Sequence, residues 1–156
     1  MNLRQITLKD QIILKNIYFD SIKSIDENIY SPEQKSIWSS QAWVNQEFQK
    51  SITKGKGFIM EHLNNHIGFA IRYPDRKLSL LYVKGNFTRK GIGNILIQAI
   101  EKEAIKEGVK SIQTDASLLS YKLFIKNHWK IISKEKIILQ ETAFYRYKMF
   151  KDFYFK

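Results

Sequence analysis

The sequence predicts a single mixed α/β domain, with helices and strands layered around one sheet. Three observations carry that expectation. Strand-like segments follow one another between residues 58 and 83, and helices and strands then alternate to the end of the chain. No repeat, no Pro/Ser/Gly linker and no break in composition divides residues 1–156, which read as one domain. Hydrophobic residues make up 44% and aromatics 13%, and a chain of this size buries roughly 68–70% of its unfolded surface.

The elements follow in order. Leu3 to Leu8 reads as a short strand. Lys9 or Asp10 opens a helix carrying Ile12, Ile13, Leu14, Ile17 and Tyr18 at helical spacing. After a loop over 23–31, Ser31-Pro32-Glu33-Gln34 starts a second helix with Ser at the N-cap and Pro in the first turn. That helix is expected to run to about Ile52, with a break near Ser39-Ser40. Gly55-Lys56-Gly57 turns into a strand at Phe58–His62. Asn64-Asn65 turns again into a strand from Ile67 to Tyr73, which Pro74-Asp75 ends. Leu78 to Val83 is apolar on both faces and is expected at the sheet centre. Ile92 to Lys106 is an amphipathic helix stopped by Gly108. A strand at Val109–Asp115, a short helix at Leu118–Lys126 and strands at Trp129–Leu139 and Ala143–Lys151 complete the chain.

Composition excludes several chemistries. There is no Cys, so disulfides, thiolate zinc sites, iron–sulfur clusters and a cysteine nucleophile are ruled out. His62 and His66 have H-x-x-x-H spacing, but Asn64-Asn65 between them favours a turn and HExxH is absent, so no metal site is expected. The opening residues lack an apolar signal core, and the charge-free run Gly91–Ile100 is half the ~20 residues of a membrane span; the expected address is the cytoplasm, with no membrane partner. The 26 Lys and Arg against 15 Asp and Glu give a net charge of +11. Such a surface suits anionic ligands, yet the lysines are dispersed and no nucleic-acid-binding motif is present. A basic nucleic-acid-binding protein is therefore only the third reading.

The informative stretch is Leu81-Tyr82-Val83-Lys84-Gly85-Asn86-Phe87-Thr88-Arg89-Lys90-Gly91-Ile92-Gly93-Asn94. A strand leads through a basic, Gly-containing loop into a helix. Gly91 and Gly93 permit close backbone approach, and the free amides and dipole of a helix N-terminus favour a phosphate. The pattern is neither a P-loop nor a dinucleotide fingerprint, because GxxxxGK[ST] is absent and Leu96 stands where GxGxxG needs Gly.

Arg89-Lys90-Gly91-Ile92-Gly93-Asn94 resembles the acetyl-CoA signature of the GNAT superfamily of N-acetyltransferases, Gln/Arg-x-x-Gly-x-Gly/Ala. The segment Ala116 to Trp129 is similar to the family's later strand and helix, and Tyr30-Ser31-Pro32-Glu33-Gln34 with Trp38 is similar to a bacterial subgroup. The resemblance covers nearly the whole chain. It implies a mostly antiparallel sheet splayed at two parallel strands, with acetyl-CoA as donor and no metal. Pantetheine would pair with Leu81, Tyr82 and Val83. Pyrophosphate would sit on the amides of Arg89, Lys90, Gly91, Ile92, Gly93 and Asn94, with Ser117 and Phe124 beside the cofactor. Many members dimerise, which makes a homodimer an expectation of the same kind. The chain departs from the family pattern at five places. Thr88 replaces Gln or Arg, and Lys84-Gly85-Asn86 replaces the usual turn. His128 replaces Gly, Phe124 stands at the place of a Tyr general acid, and Ser79 stands where an acid is common.

Acetyl transfer to an amine needs removal of a proton from nitrogen and delivery of one to the leaving thiolate. Glu61, on the strand before the hairpin and expected near the sheet centre, is the first candidate base, against its reading as an exposed strand carboxylate. Glu33 is second, against service to the helix dipole. Tyr121, one helical turn before Phe124, is a candidate acid, as is Tyr145. Tyr147, on the same strand face as Tyr145, is a candidate acceptor contact, as are Tyr30 and Trp38, these two against simple core filling. Asp115 either orients a ligand or caps the following helix. The reading is direct acetyl transfer from acetyl-CoA to a primary amine; the alternative is a GNAT-fold module that holds CoA without turnover.

Overall fold

A computed structural model describes residues 1–153. Its strands are β1 (Asn2–Gln5), β2 (Lys56–His62), β3 (Asn65–Arg72), β4 (Leu78–Val83), β5 (Ser111–Ser117), β6 (Lys130–Leu139) and β7 (Thr142–Asp152). Its helices are α1 (Gln11–Lys23), α2 (Pro32–Val44), α3 (Gln46–Lys54), α4 (Ile92–Lys106) and α5 (Tyr121–Lys126). The strands form two sheets, β1-β2-β3-β4 and β5-β7-β6, antiparallel throughout. They are joined by one parallel bridge between Lys77 and Gln113.

Alternation along β3 explains the layering. Phe69 and Ile71 face α1, α2 and α3, where Leu14, Ile17, Tyr18, Phe48 and Ile52 meet them. Gly68 and Ala70 face α4: a Cβ on Gly68 would lie 3.3 Å from Ile92 and Leu96, and Ala70 belongs to the cluster with Ile97 and Ile100. The second core continues under the second sheet through Ile112, Phe124, Trp129 and Met149, so α4 serves both sheets.

Element order matches the sequence reading, with local corrections. Leu8 leaves the first strand and opens a 3-10 turn, Leu8–Asp10, held by a capping box between Thr7 and Asp10. The long second helix breaks at Asn45 rather than at Ser39-Ser40. The two serine hydroxyls donate back to the carbonyls of Ser36 and Ile37 without interrupting the helix. Asn45 adopts an extended conformation (φ −89°, ψ 118°) and its side chain accepts from the Phe48 amide at 3.0 Å, capping α3. The β2–β3 turn falls on Leu63-Asn64, one residue early, both at positive φ; Gln140-Glu141 makes the same kind of turn between β6 and β7. Val109 precedes β5, and α5 starts only at Tyr121. β4 is central to the molecule but marginal in its own sheet.

Candidate active site

The site begins where β4 and β5 part. The strands run parallel at the Lys77–Gln113 bridge, where the Gln113 amide donates to the Arg76 carbonyl at 2.8 Å and the Thr114 hydroxyl to the Leu78 carbonyl at 2.8 Å. Beyond it each strand is the margin of its own sheet. A bulge in β4 accompanies the parting. Ile71 pairs with Leu80 and Arg72 with Leu78, so Ser79 is the extra residue; bulges bend a strand and increase its twist. The Ser79 hydroxyl donates to the Ile71 carbonyl at 3.3 Å and accepts from Ser51 of α3 at 3.0 Å. The divergence opens a cleft of about 1580 Å³, with Leu81, Tyr82 and Val83 along one wall and Ser117 and Phe124 along the other.

One end of the cleft is the start of α4. Gly91 caps the helix at φ +80°, with no side chain accepting from the first turn and no acid within it. The first intrahelical bond runs from the Ile95 amide to Gly91 at 3.1 Å, so the amides of Ile92, Gly93 and Asn94 precede the helical ladder. The two glycines serve different needs. A Cβ on Gly91 would meet nothing within 4 Å, so only the left-handed backbone demands glycine there. A Cβ on Gly93 would lie 2.7 Å from the Leu123 side chain, so glycine lets α4 and α5 approach. Arg89 (φ +60°) also lines this end, with Lys122 and Lys126 from α5.

The other end is aromatic. Tyr30, Trp38, Tyr82 and Phe144 pack against one another with Ile137 and Leu139 of β6. The Tyr30 phenol accepts from the Leu118 amide at 3.0 Å, and that of Tyr18 donates to the Trp38 carbonyl. Burial raises the phenol pKa of Tyr18, Tyr30 and Tyr82 above the usual tyrosine value, so all three stay protonated.

The sequence matches the acetyltransferase (GNAT) domain family over residues 27–138, most of the chain. The chain belongs to that family. Solved structures agree in fold. The GCN5-related N-acetyltransferase from Rhodopseudomonas palustris superposes with a TM-score of 0.88 at 24% identity, covering 97% of this chain and 95% of that one. The PaiA N-acetyltransferase from Thermoplasma acidophilum, in complex with coenzyme A, gives 0.71 at 20% identity over 98% and 100%. YncA from Salmonella typhimurium, with its cofactor acetyl-CoA, gives 0.66 at 14% identity over 97% and 93%. No curated protein sequence matches the chain.

Within this GNAT domain the expected residues divide. Leu81, Tyr82, Val83, Arg89, Gly91, Ile92, Gly93, Asn94, Ser117, Phe124, Tyr30, Trp38 and Tyr145 line the cleft. Lys90 does not; its ammonium lies 5.4 Å from the Phe87 ring centre. Tyr121 stacks on Tyr147 with ring centres 4.4 Å apart, and neither lines the cleft. Glu61 is not brought there either. It lies beside the outermost strand, ion-paired with Arg4 at 3.0 Å and facing His66 at 3.3 Å. Glu33 accepts from the Thr142 hydroxyl at 3.3 Å, tying α2 to β7. Ser117 and Ser120 exchange bonds that cap the turn before α5, so Asp115 is not the cap. His128, in place of the family Gly, takes the left-handed conformation (φ +68°) that ends α5.

The sequence reading missed two groups. Ser51 with Ser79 carried no signal, since a bulge depends on register. The second group is a charge network that runs from the cleft lining, at Glu47, Lys77, Asp115 and Arg146, onto Glu135 and Lys148. Asp115 meets Lys77 at 3.1 Å and Arg146 at 3.7 Å, Glu47 meets Lys77 at 2.7 Å, and Glu135 meets Arg146 at 3.1 Å and Lys148 at 3.6 Å. Strand alternation could have paired Glu135 with Arg146, which are register partners. Among the described residues no cluster of three or more His, Asp or Glu could hold a metal ion, and no helix is long and apolar enough to cross a membrane.

Proposed function

We propose that this single-domain chain transfers the acetyl group of acetyl-CoA to a primary amine by direct attack of nitrogen on the thioester. One observation carries the reading: the unpaired margin of β4 runs along the cleft toward an uncapped helix N-terminus flanked by Arg89. A pantetheine arm offers amides to a strand margin, and a pyrophosphate suits free helix amides. The residues present fit that ligand, since Gly91 leaves its surroundings open and no acid occupies the first turn. Leu81, Tyr82 and Val83 would hold the arm, and the amides of Ile92, Gly93 and Asn94 the phosphates. The bound donor supplies an activated acyl group.

The chain's own residues then govern the proton. Three cations without ion-pair partners among the described residues, Arg89, Lys122 and Lys126, line the cleft. At the α4–α5 end they would face the donor's phosphates. Tyr145 is the half-exposed phenol at the cleft and the candidate donor to the leaving thiolate. With no Cys, an acyl-cysteine intermediate is excluded.

The second reading, a CoA-holding module without turnover, is favoured by Phe124 at the place of a tyrosine and by the ion pairing of every lining carboxylate but Asp26 among the described residues. The test is thermal stabilisation by acetyl-CoA beside free CoA and an unrelated polyanion, followed by thiol release with amines. A ligand at a hundred times its Kd adds about 2.7 kcal/mol. Stabilisation by acetyl-CoA with amine-dependent thiol release supports transfer. Stabilisation without release supports the module. An equal shift with any polyanion overturns both in favour of nucleic-acid binding.

A further inference from the structure

We infer that the acceptor is a monoamine carried on an apolar or aromatic body, and not a polyamine. The inference deepens the transferase reading above and rests on it. It comes from the end of the cleft away from the α4 N-terminus, where Trp38, Tyr82, Ile137 and Leu139 are the partly buried side chains over the buried Tyr30 and Phe144. Ring centres lie 5.0 Å apart for Tyr30–Trp38, 6.2 Å for Trp38–Tyr82 and 6.4 Å for Tyr30–Phe144.

Two phenols at this wall are already engaged: that of Tyr30 by the Leu118 amide and that of Tyr18 by the Trp38 carbonyl. Apart from the Trp38 indole and the Tyr82 phenol, what the wall offers is ring and aliphatic surface. Such surface buries an apolar body and attracts an ammonium to a ring face.

Charge argues the same way. A polyamine needs a free carboxylate for its second ammonium. Of the lining carboxylates, Glu47 and Asp115 are ion-paired with the lining cations Lys77 and Arg146, and Arg146 also meets Glu135 beyond the lining. Glu101, nearer α5, is ion-paired with Lys151 at 2.5 Å and accepts from the Trp129 indole at 3.2 Å. The one other lining carboxylate is Asp26, in the exposed α1–α2 loop, where it accepts from the Asn28 amide at 2.8 Å. With the remaining lining cations at the α4–α5 end, the cleft has no anionic surplus to hold a polycation.

The experiment measures thiol release from acetyl-CoA by the full chain with 2-phenylethylamine, ethylamine and spermidine, beside the acetyl-CoA melting shift. 2-Phenylethylamine is expected to exceed spermidine in kcat/KM by at least about tenfold, since even one methylene in an apolar pocket discriminates 10–200-fold. Trp38→Ala should raise KM for 2-phenylethylamine by a larger factor than KM for ethylamine, and Trp38→Phe should restore most of the loss. Spermidine turned over as well as 2-phenylethylamine overturns the inference, as does an acetyl-CoA melting shift with no release from any of the three. Absence of the shift overturns the transferase reading beneath it.

Discussion

The two sheets are built from equally apolar strands and end up in opposite environments. In β3 six of eight residues are buried; in β6 none of ten is. Yet β6 carries four isoleucines and a leucine, and Ile131, Ile132 and Ile138 lie exposed. The difference comes from neighbours. The first sheet has α1–α3 on one face and α4 on the other, while β6 is the outer strand of its sheet. Burial is conferred by what packs on a strand, so the first sheet is the fixed platform of the cleft and the second its less constrained wall.

The largest expected effect tests that contrast directly. Phe69→Ala, fully buried in β3, should cost about 3–5 kcal/mol by urea denaturation. Ile132→Ser in β6 should stay within about 0.5 kcal/mol. Comparable losses would break the comparison.

Next comes the margin of the platform. Asp10, buried, accepts from Arg4 at 2.8 and 3.0 Å and from the Thr7 amide at 2.7 Å. The Arg4 bond holds its pKa at about 2, below the usual carboxylate value. A lowered folded pKa contributes stability that is complete above pH 4 and lost as pH falls through about 2. Asp10→Asn should cost about 1.5–3 kcal/mol near neutral pH and flatten the acid limb of a melting-temperature profile. An unchanged limb would show that the loss arises elsewhere.

A smaller loss of stability than that at Asp10 is expected at the start of α4. Gly91→Ala has room for its methyl but not for its backbone, and should cost about 1–2 kcal/mol. It should also reduce the acetyl-CoA melting shift disproportionately. Equal loss of both would reduce Gly91 to a structural cap.

Much of this was legible in the sequence. The 3.6-residue period of α4, the Ser31-Pro32 start of α2 and the Gly91-Ile92-Gly93 loop name their elements because the signals are local. What failed was positional. Glu61 seemed central because its strand is central in the chain, but its register partners Asn2 and His66 place it beside the first sheet's outer strand and the hairpin end. Ser79 stands out in the sequence only as the residue at the place of an acid, and its bulge stays hidden there because a bulge is a relation between two strands. Tyr121 was sought at the reaction centre by its distance from Phe124 in sequence, and instead lies on Tyr147, a partner that only the β7 register brings there.

The cations at the start of α4 also bear on time. In a chain with a net charge of +11, Arg89, Lys122 and Lys126 stand at the mouth that a polyphosphate ligand must enter. Their field reaches about a Debye length, roughly 10 Å at 0.1 M salt and 3 Å at 1 M. Diffusional capture is then hastened by attraction at low ionic strength and loses that help as salt is added. With the donor held along β4 as proposed, release would depend on short contacts that salt screens far less, and affinity would become salt-dependent chiefly through how often encounters succeed.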